Sequence, residues 1–304
     1  MNNVLIDIRQ IGSQFGFVDS GATKIASLGD YCSFFEKYLA DGCQAGMRYL
    51  ERNLDKRENP ALLVPGARSV LCFLAPYGKG SVAPDGSRIC GFAQGEDYHK
   101  VIKDRLHGVM TRLADEAAAR GLPAFSGRPF TDSAPLAERA WAARAGLGFI
   151  GRNCFLISPE YGLRTLIGAI VCNIPAEAFV PHPPLTITTC GDCGKCTAAC
   201  PTGALQPYRL DARKCISYHT VESHDALPEN LNRDGSLFGC DRCLEACPWN
   251  KEVEAWPEFR SHHAQLESMA RSDWQQLTPE AFDAEFGSSS LTRAGLDKIK
   301  DNAR

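Results

Sequence analysis

The stretch CGDCGKCTAACP at 190–201 sets Cys190, Cys193, Cys196 and Cys200 in the spacing C-x2-C-x2-C-x3-C-P. Downstream, CDRCLEACP at 240–248 repeats the second half of that pattern with Cys240, Cys243 and Cys247. Three thiols in one tight loop suit three irons of a cubane. The fourth cysteine is carried off by the following turn and serves a neighbouring cluster, which is why such runs come in pairs. Cys215 supplies the ligand missing from the front of the second run. Eight ligands make two 4Fe-4S sites. By the crossing rule, Cys190, Cys193, Cys196 and Cys247 hold one cluster, and Cys200, Cys215, Cys240 and Cys243 hold the other.

This is the run of bacterial two-cluster ferredoxins. A pair of structural four-cysteine zinc sites is the competing reading, but zinc sites join two two-cysteine knuckles rather than a triplet followed by Cys-Pro. The remaining cysteines, Cys32, Cys43, Cys72, Cys90, Cys154 and Cys172, lack ligand spacing and read as buried free thiols. With 304 residues and 14 cysteines the chain is too long and too cysteine-poor for a disulfide scaffold. Its formal charge of −3 excludes a global positive field, though not a local basic face. The opening MNNVLIDIRQ carries Asp7 and Arg9 where an export signal needs an apolar core. The apolar stretch at 166–172 is far short of the roughly 20 residues that span a membrane. A cytoplasmic protein with reduced thiols is expected.

Outward from the cysteines the chain changes character. FVPHPPL at 179–185 packs three prolines into four residues, and a domain boundary is expected there. Upstream, SVLCFL at 69–74 and TLIGAIVC at 165–172 read as buried strands. Between Tyr98 and Arg120, apolar Ile102, Leu106, Val109, Met110, Leu113 and Ala117 recur at three- and four-residue steps, and Gly121 and Pro123 end the run. That is an amphipathic helix. A second helix is predicted over 134–145, with Ser133 as N-cap, Pro135 in its first turn and Gly146 at its end. The cysteine region is too poor in apolar periodicity to build a large core, so bound metal must organise it. The last residues read as short helices anchored by Trp274, Leu277, Phe282 and Phe286. The predicted organisation is α+β: an α/β domain over 1–180, a two-cluster ferredoxin-like domain over 181–255 and a helical segment over 256–304.

Clusters carry electrons singly and do no organic chemistry, so the large domain must hold an acceptor. No G-x-G-x-x-G follows a strand there. The D-x-H-x-x-G signature of cobalamin domains with a histidine lower ligand begins at Asp97 and His99 and then lacks its glycine. The residues alone leave the acceptor unnamed.

A wider set of segments resembles a known family. TDSAP at 131–135, RAGLGFIGRN at 144–153, PEYG at 159–162, CPTGA at 200–204, CISY at 215–218, GCDRC at 239–243 and CPWNK at 247–251 are together similar to the epoxyqueuosine reductases, from about Tyr49 onward. That family resembles the corrinoid-dependent reductive dehalogenases in architecture. The resemblance therefore implies a cobalamin-binding α/β domain, with no histidine lower ligand, joined to the two-cluster module. It implies reduction of epoxyqueuosine to queuosine at the wobble position of tRNA. The implied proton donor falls on Asp132, whose competing role is to precede or cap the helix assigned to Ser133. Arg57, Cys90, the 153–156 segment with Asn153 and Leu156, and Ser217 match positions that border the corrin. Arg57 read alone is a surface ion-pair residue, Cys90 a core thiol and Ser217 a turn hydroxyl. Asp97 and His99 are candidates for proton delivery, or else simply open the long helix.

Over 128–214 nine basic residues face six acidic ones, a surplus suited to steering a phosphate backbone. Many family relatives extend into a helical-repeat tail that this sequence lacks after Arg304, so a weaker or altered grip on the anticodon arm is expected. An unidentified low-potential electron donor and a monomeric state complete the expectation. Two other functions compete: a corrinoid-dependent reductase or dehalogenase of a small molecule, and an electron-transfer protein of ferredoxin type.

Overall fold

The computed structural model describes residues 5–304. Its centre is a four-stranded sheet in the order β1 (Asp19–Lys24), β2 (Ser69–Pro76), β8 (Thr165–Cys172), β5 (Gly127–Phe130), with every neighbouring pair antiparallel. All eight residues of β2 are buried, because helices cover both faces of the strand. Side chains alternate across it. Leu71, Phe73 and Ala75 enter one core with Ile102, Leu106, Val109 and Leu113 of helix α4 (Tyr98–Ala119). Val70, Cys72 and Leu74 enter a second core with Trp141 and Ala142 of α5 (Glu138–Arg144). Gly168 of β8 allows α4 to lie this close, since a Cβ there would sit 2.8 Å from Ile102 and 3.1 Å from Leu106.

The two predicted strands and the long helix form where their apolar patterns place them. Asp97 caps α4 by accepting the His99 N–H at 3.0 Å. The second predicted helix starts later than expected. Its N-cap is Ala137, which makes no side-chain cap, and Ser133 caps nothing. Ala134 precedes a proline and is steered away from helical conformation. The chain instead makes tight turns, Leu136 N–H to Ala134 O at 2.7 Å and Glu138 N–H to Leu136 O at 3.0 Å. These drop Leu136 and Ala137 into the second core.

Helix α1 (Ile8–Gln14) packs into the same core as α4, while α2 (Gly29–Ala40) borders the second core and α3 (Leu54–Glu58) lies beside α2. The two-residue strands β6 (Phe149–Ile150) and β7 (Leu156–Ile157) make a small antiparallel hairpin. Residues 181–189 carry no helix or strand. The cysteine region that follows holds little regular structure: α6 (Lys195–Ala198), α7 (Arg242–Glu245) and the hairpin β9 (Leu205–Gln206) with β10 (Arg209–Leu210). A single π-helical turn over Tyr218–Glu222 follows Cys215.

A third core joins the segment around Ile89 to the tail of the chain. Strand β11 (Ser236–Phe238) pairs with β4 (Arg88–Ile89), which pairs with β3 (Ser81–Val82). Helices α8 (His263–Ser268), α9 (Arg271–Gln276), α10 (Pro279–Phe286) and α11 (Gly295–Asn302) bury Leu266, Trp274, Phe282, Phe286 and Ile299 against that sheet. Trp274, Phe282 and Phe286, three of the four anchors read from the sequence, are thus core residues, while Leu277 packs at the margin.

Candidate active site and cluster ligands

The eight motif cysteines gather in two groups. Cys190, Cys193, Cys196 and Cys247 line one small cleft, together with Arg152, Asn153, Pro248 and Trp249. In the other, the thiols of Cys240, Cys215 and Cys200 all bear on Cys243, which burial pushes well above its ordinary pKa. Burial likewise raises Cys240 to about 11. Four thiolates packed this way repel one another unless bound metal offsets their charge, and an all-sulfur donor set suits iron–sulfur chemistry.

Asp132 is exposed on the loop that follows β5, in front of a candidate cleft. Its backbone is left-handed, φ +47, a conformation costing a non-glycine residue about 1 kcal/mol. Three anchors hold it there. Thr131, buried at the end of β5, donates its hydroxyl to Ile167 O at 3.0 Å. The Asp132 N–H donates to Glu138 Oε1 at 2.6 Å. The Tyr98 phenol donates to Asp132 Oδ2 at 2.7 Å. Burial and the neighbouring Asp132 and Glu138 charges raise the Tyr98 pKa above its usual value, so the phenol remains a donor. Burial, with Asp132 second, lifts the Glu138 carboxyl to about 8. Asp132 itself is exposed.

The walls of this cleft come from distant segments. Tyr49, half exposed, has its hydroxyl raised to about 12 by partial burial and then by Glu222 and Asp132. Arg293, from the tail, donates to Glu222 Oε2 at 2.8 Å and feels the Asp132 charge as well. Arg57 is buried, lies 5.2 Å from the Phe35 ring centre and leaves its Nε without a partner. Helix α2 carries a stacked aromatic row, Tyr31 on Phe35 and Phe35 on Tyr38, yet none of its residues is buried. Arg139 donates to Cys154 O, and its charge also reaches Tyr31, Tyr38 and Glu138.

The other anticipated residues are dispersed. Asn153 is 3% exposed, accepts the Phe155 N–H through Oδ1 and keeps Nδ2 unpaired beside the first cysteine group. Leu156 is buried in the second core. Ser217 opens the π-helical turn two residues after Cys215. Cys90 lies in the third core, packed so tightly on Gly239 that a Cβ there would meet its sulfur at 2.2 Å. It is not brought to Asp132. Asp97 and His99 pair with each other, Oδ1 to Nδ1 at 2.7 Å. It is Tyr98, between them, that reaches Asp132.

Tyr98, Glu138, Tyr49 and Arg293 escaped the sequence reading. Tyr98 looks like one more apolar position on α4, and Glu138 like a solvated helix charge. Nothing local marks Tyr49 or Arg293, which meet only through the fold.

Two cysteine quartets beside an α/β domain define an iron–sulfur redox protein. Residues 189–250 match the family of 4Fe-4S double cluster binding domains. Residues 57–133 match the family described as epoxyqueuosine reductase QueG, DUF1730. The epoxyqueuosine reductase of Cellulophaga algicola is 35% identical, over 95% of this chain and 93% of its own. That of Leadbetterella byssophila is 34% identical, over 97% and 96% respectively. Among solved structures, an epoxyqueuosine reductase with a tRNA-Tyr epoxyqueuosine-modified stem loop superposes with a TM-score of 0.85. The two are 28% identical, over 97% of this chain and 78% of that one. The chain belongs to the epoxyqueuosine reductase family.

Proposed function

We propose that this chain reduces epoxyqueuosine to queuosine in tRNA, with Asp132 giving the proton to the departing epoxide oxygen. Removing that oxygen as water takes two electrons and two protons. The observation that carries the reading is the exposed Asp132 carboxyl, fixed by Tyr98 and by the Glu138-bound amide. A general acid held this way contributes roughly 10²- to 10⁴-fold to a rate.

We infer that cobalamin binds between Asp132 and the first cysteine group. The unpaired Arg57 Nε and Asn153 Nδ2 are donors for the amides or phosphate of a large polar cofactor, and the partly exposed aromatic row on α2 suits its ring. When bound, cobalamin supplies a strongly reducing cobalt nucleophile for carbon–oxygen cleavage. Ser217, two residues after Cys215, and Leu156, in the second core, we keep as corrin neighbours on the family resemblance alone. Cys90 we assign to packing. The cysteines divide as the crossing rule has it, Cys190, Cys193, Cys196 and Cys247 for one cluster and Cys200, Cys215, Cys240 and Cys243 for the other. Cys154, whose thiol lies within charge range of Cys196, puts the first cluster next to the cleft wall.

The division into 1–180, 181–255 and 256–304 then has a functional sense: cofactor and acid, electron supply, and a tail that returns Arg293 to the cleft. The tRNA partner is supported by the family and by the basic surplus over 128–214. Among the described residues no helix is long and apolar enough to cross a membrane. We place the enzyme in the cytoplasm, as a monomer served by a low-potential electron donor. The deciding test is an anaerobic assay of cluster-loaded protein with cobalamin, a reductant and epoxyqueuosine-containing tRNA, reading the nucleoside by mass. Loss of one oxygen is expected. No conversion, with clusters and cobalamin shown to be loaded, overturns the proposal in favour of a small-molecule corrinoid reductase.

A further inference from the structure

We infer that Glu138 is a positioning residue for the reaction: its carboxyl is the peg on which the Asp132 loop hangs, and it keeps the proton donor turned into the cleft. The inference rests on the reading of Asp132 as that donor, but its first test does not.

Four observations carry it. Glu138 is the first residue of α5, where a carboxylate ordinarily serves the free N–H groups of its own helix. It reaches back six residues instead and takes the Asp132 N–H at 2.6 Å. Asp132 is left-handed at φ +47, a minority conformation for a residue with a side chain, so something outside the residue must hold it. The loop between them is built to keep the peg fixed, since Leu136 and Ala137 are buried and α5 is anchored by Trp141, which is fully buried. Without that bond the Asp132 amide has only water to turn to, and the carboxyl is tethered by Tyr98 alone.

Glu138 is surrounded in a way that makes its charge state matter. Asp132 faces it from the loop, Tyr98 from α4, Arg57 from α3, Arg139 from its own helix and the Cys72 thiol from β2. Burial and Asp132 together outweigh the two arginines and lift Glu138 to about 8. At neutral pH it therefore accepts largely as a neutral acid. Above that range it accepts as a carboxylate, which is the stronger acceptor.

The test is hydrogen exchange at the amides of 131–136 in anaerobically purified protein with both clusters loaded, followed by kinetics. Glu138→Ala is expected to lower protection of the Asp132 amide by about tenfold or more and to cut kcat by a similar factor. KM for the tRNA should stay within about twofold, because the role assigned to Glu138 acts through the Asp132 amide and not on substrate binding. Glu138→Gln keeps an oxygen acceptor and is expected to restore both values at pH 7. Should the alanine variant fail to fold, the comparison moves to glutamine. Corrected for intrinsic exchange, protection in the parent rises between pH 7 and 9, and in Glu138→Gln it stays flat. An Asp132 amide equally protected in the parent and Glu138→Ala overturns the inference, as does identical pH behaviour of the parent and Glu138→Gln. Loss of protection without any turnover in the parent would instead count against the proposed reaction and leave the peg standing.

Discussion

Tyr98 Oη and Asp132 Oδ2 are 2.7 Å apart, joining the first turn of the longest helix to a strained loop at the end of β5. The phenol is anchored by a ring that is 8% exposed and packed edge-on against Phe92 at 6.0 Å. A donor on so rigid a base fixes one oxygen of the Asp132 carboxyl. Tyr98→Phe keeps the ring and deletes the donor. We expect a kcat about tenfold lower, an unchanged KM for tRNA and a stability loss of about 1 kcal/mol in denaturant titration. A kcat equal to the parent's would show that Asp132 does not need this partner.

The Asp132→Asn variant preserves size and can still accept from Tyr98, but it has no acidic proton to give. Both clusters and cobalamin should load normally by visible and EPR spectroscopy, while turnover falls by about 10² or more. If the variant turns over normally, the proton comes from elsewhere, and the nearby Glu138 carboxyl becomes the group to examine.

The two cysteine groups predict a pattern of double variants. Cys247→Ala should remove one cluster and about half of the bound iron. Adding Cys190→Ala costs nothing more, since both thiols line the same cleft. Adding Cys243→Ala should abolish the rest, because Cys243 sits with Cys200, Cys215 and Cys240. Paired effects of this kind separate shared from independent ligands. Iron analysis that finds Cys247 and Cys243 non-additive would reverse the assignment.

What could be read from the sequence followed from how local each signal was. The cysteine spacing is covalent arithmetic, and β2 and β8 are apolar along their whole length, so both are legible without a fold. Strand β1 reads DSGATK and shows no apolar alternation; it is a strand because β2 offers it a ladder. The α5 start was misplaced because Ser133 and Pro135 imitate an N-terminus, while the burial of Leu136 and Ala137 decides against it. Asp132 was recognisable only by resemblance. Its partners Tyr98, 34 residues upstream, and Glu138 are defined by the packing of α4 and α5 on opposite faces of one sheet, which no window of sequence contains.

The proline-rich linker is pinned by a titratable pair, and this gives a pH dependence with a definite sign. His182 Nε2 lies 3.1 Å from Asp19 Oδ2 on β1, and Nδ1 lies 2.9 Å from the Pro183 carbonyl. The bond to Asp19 raises the His182 pKa; burial and Arg9 oppose it, and the Pro183 carbonyl assists. A histidine raised in the folded state binds its proton more tightly there than in the unfolded chain, whose value is about 6.5. Its stabilising contribution is therefore complete below about pH 6.5 and is lost as pH climbs through the higher folded value. The pair keeps some contact with solvent, so the contribution is about 1 kcal/mol or less, equivalent to roughly 2 °C in Tm. Thermal unfolding of the cluster-loaded protein against His182→Gln should show the parent more stable at pH 6, with the gap closing by pH 8.5. A gap that is constant across that range would mean that His182 holds the linker by packing against Gly146 rather than by charge.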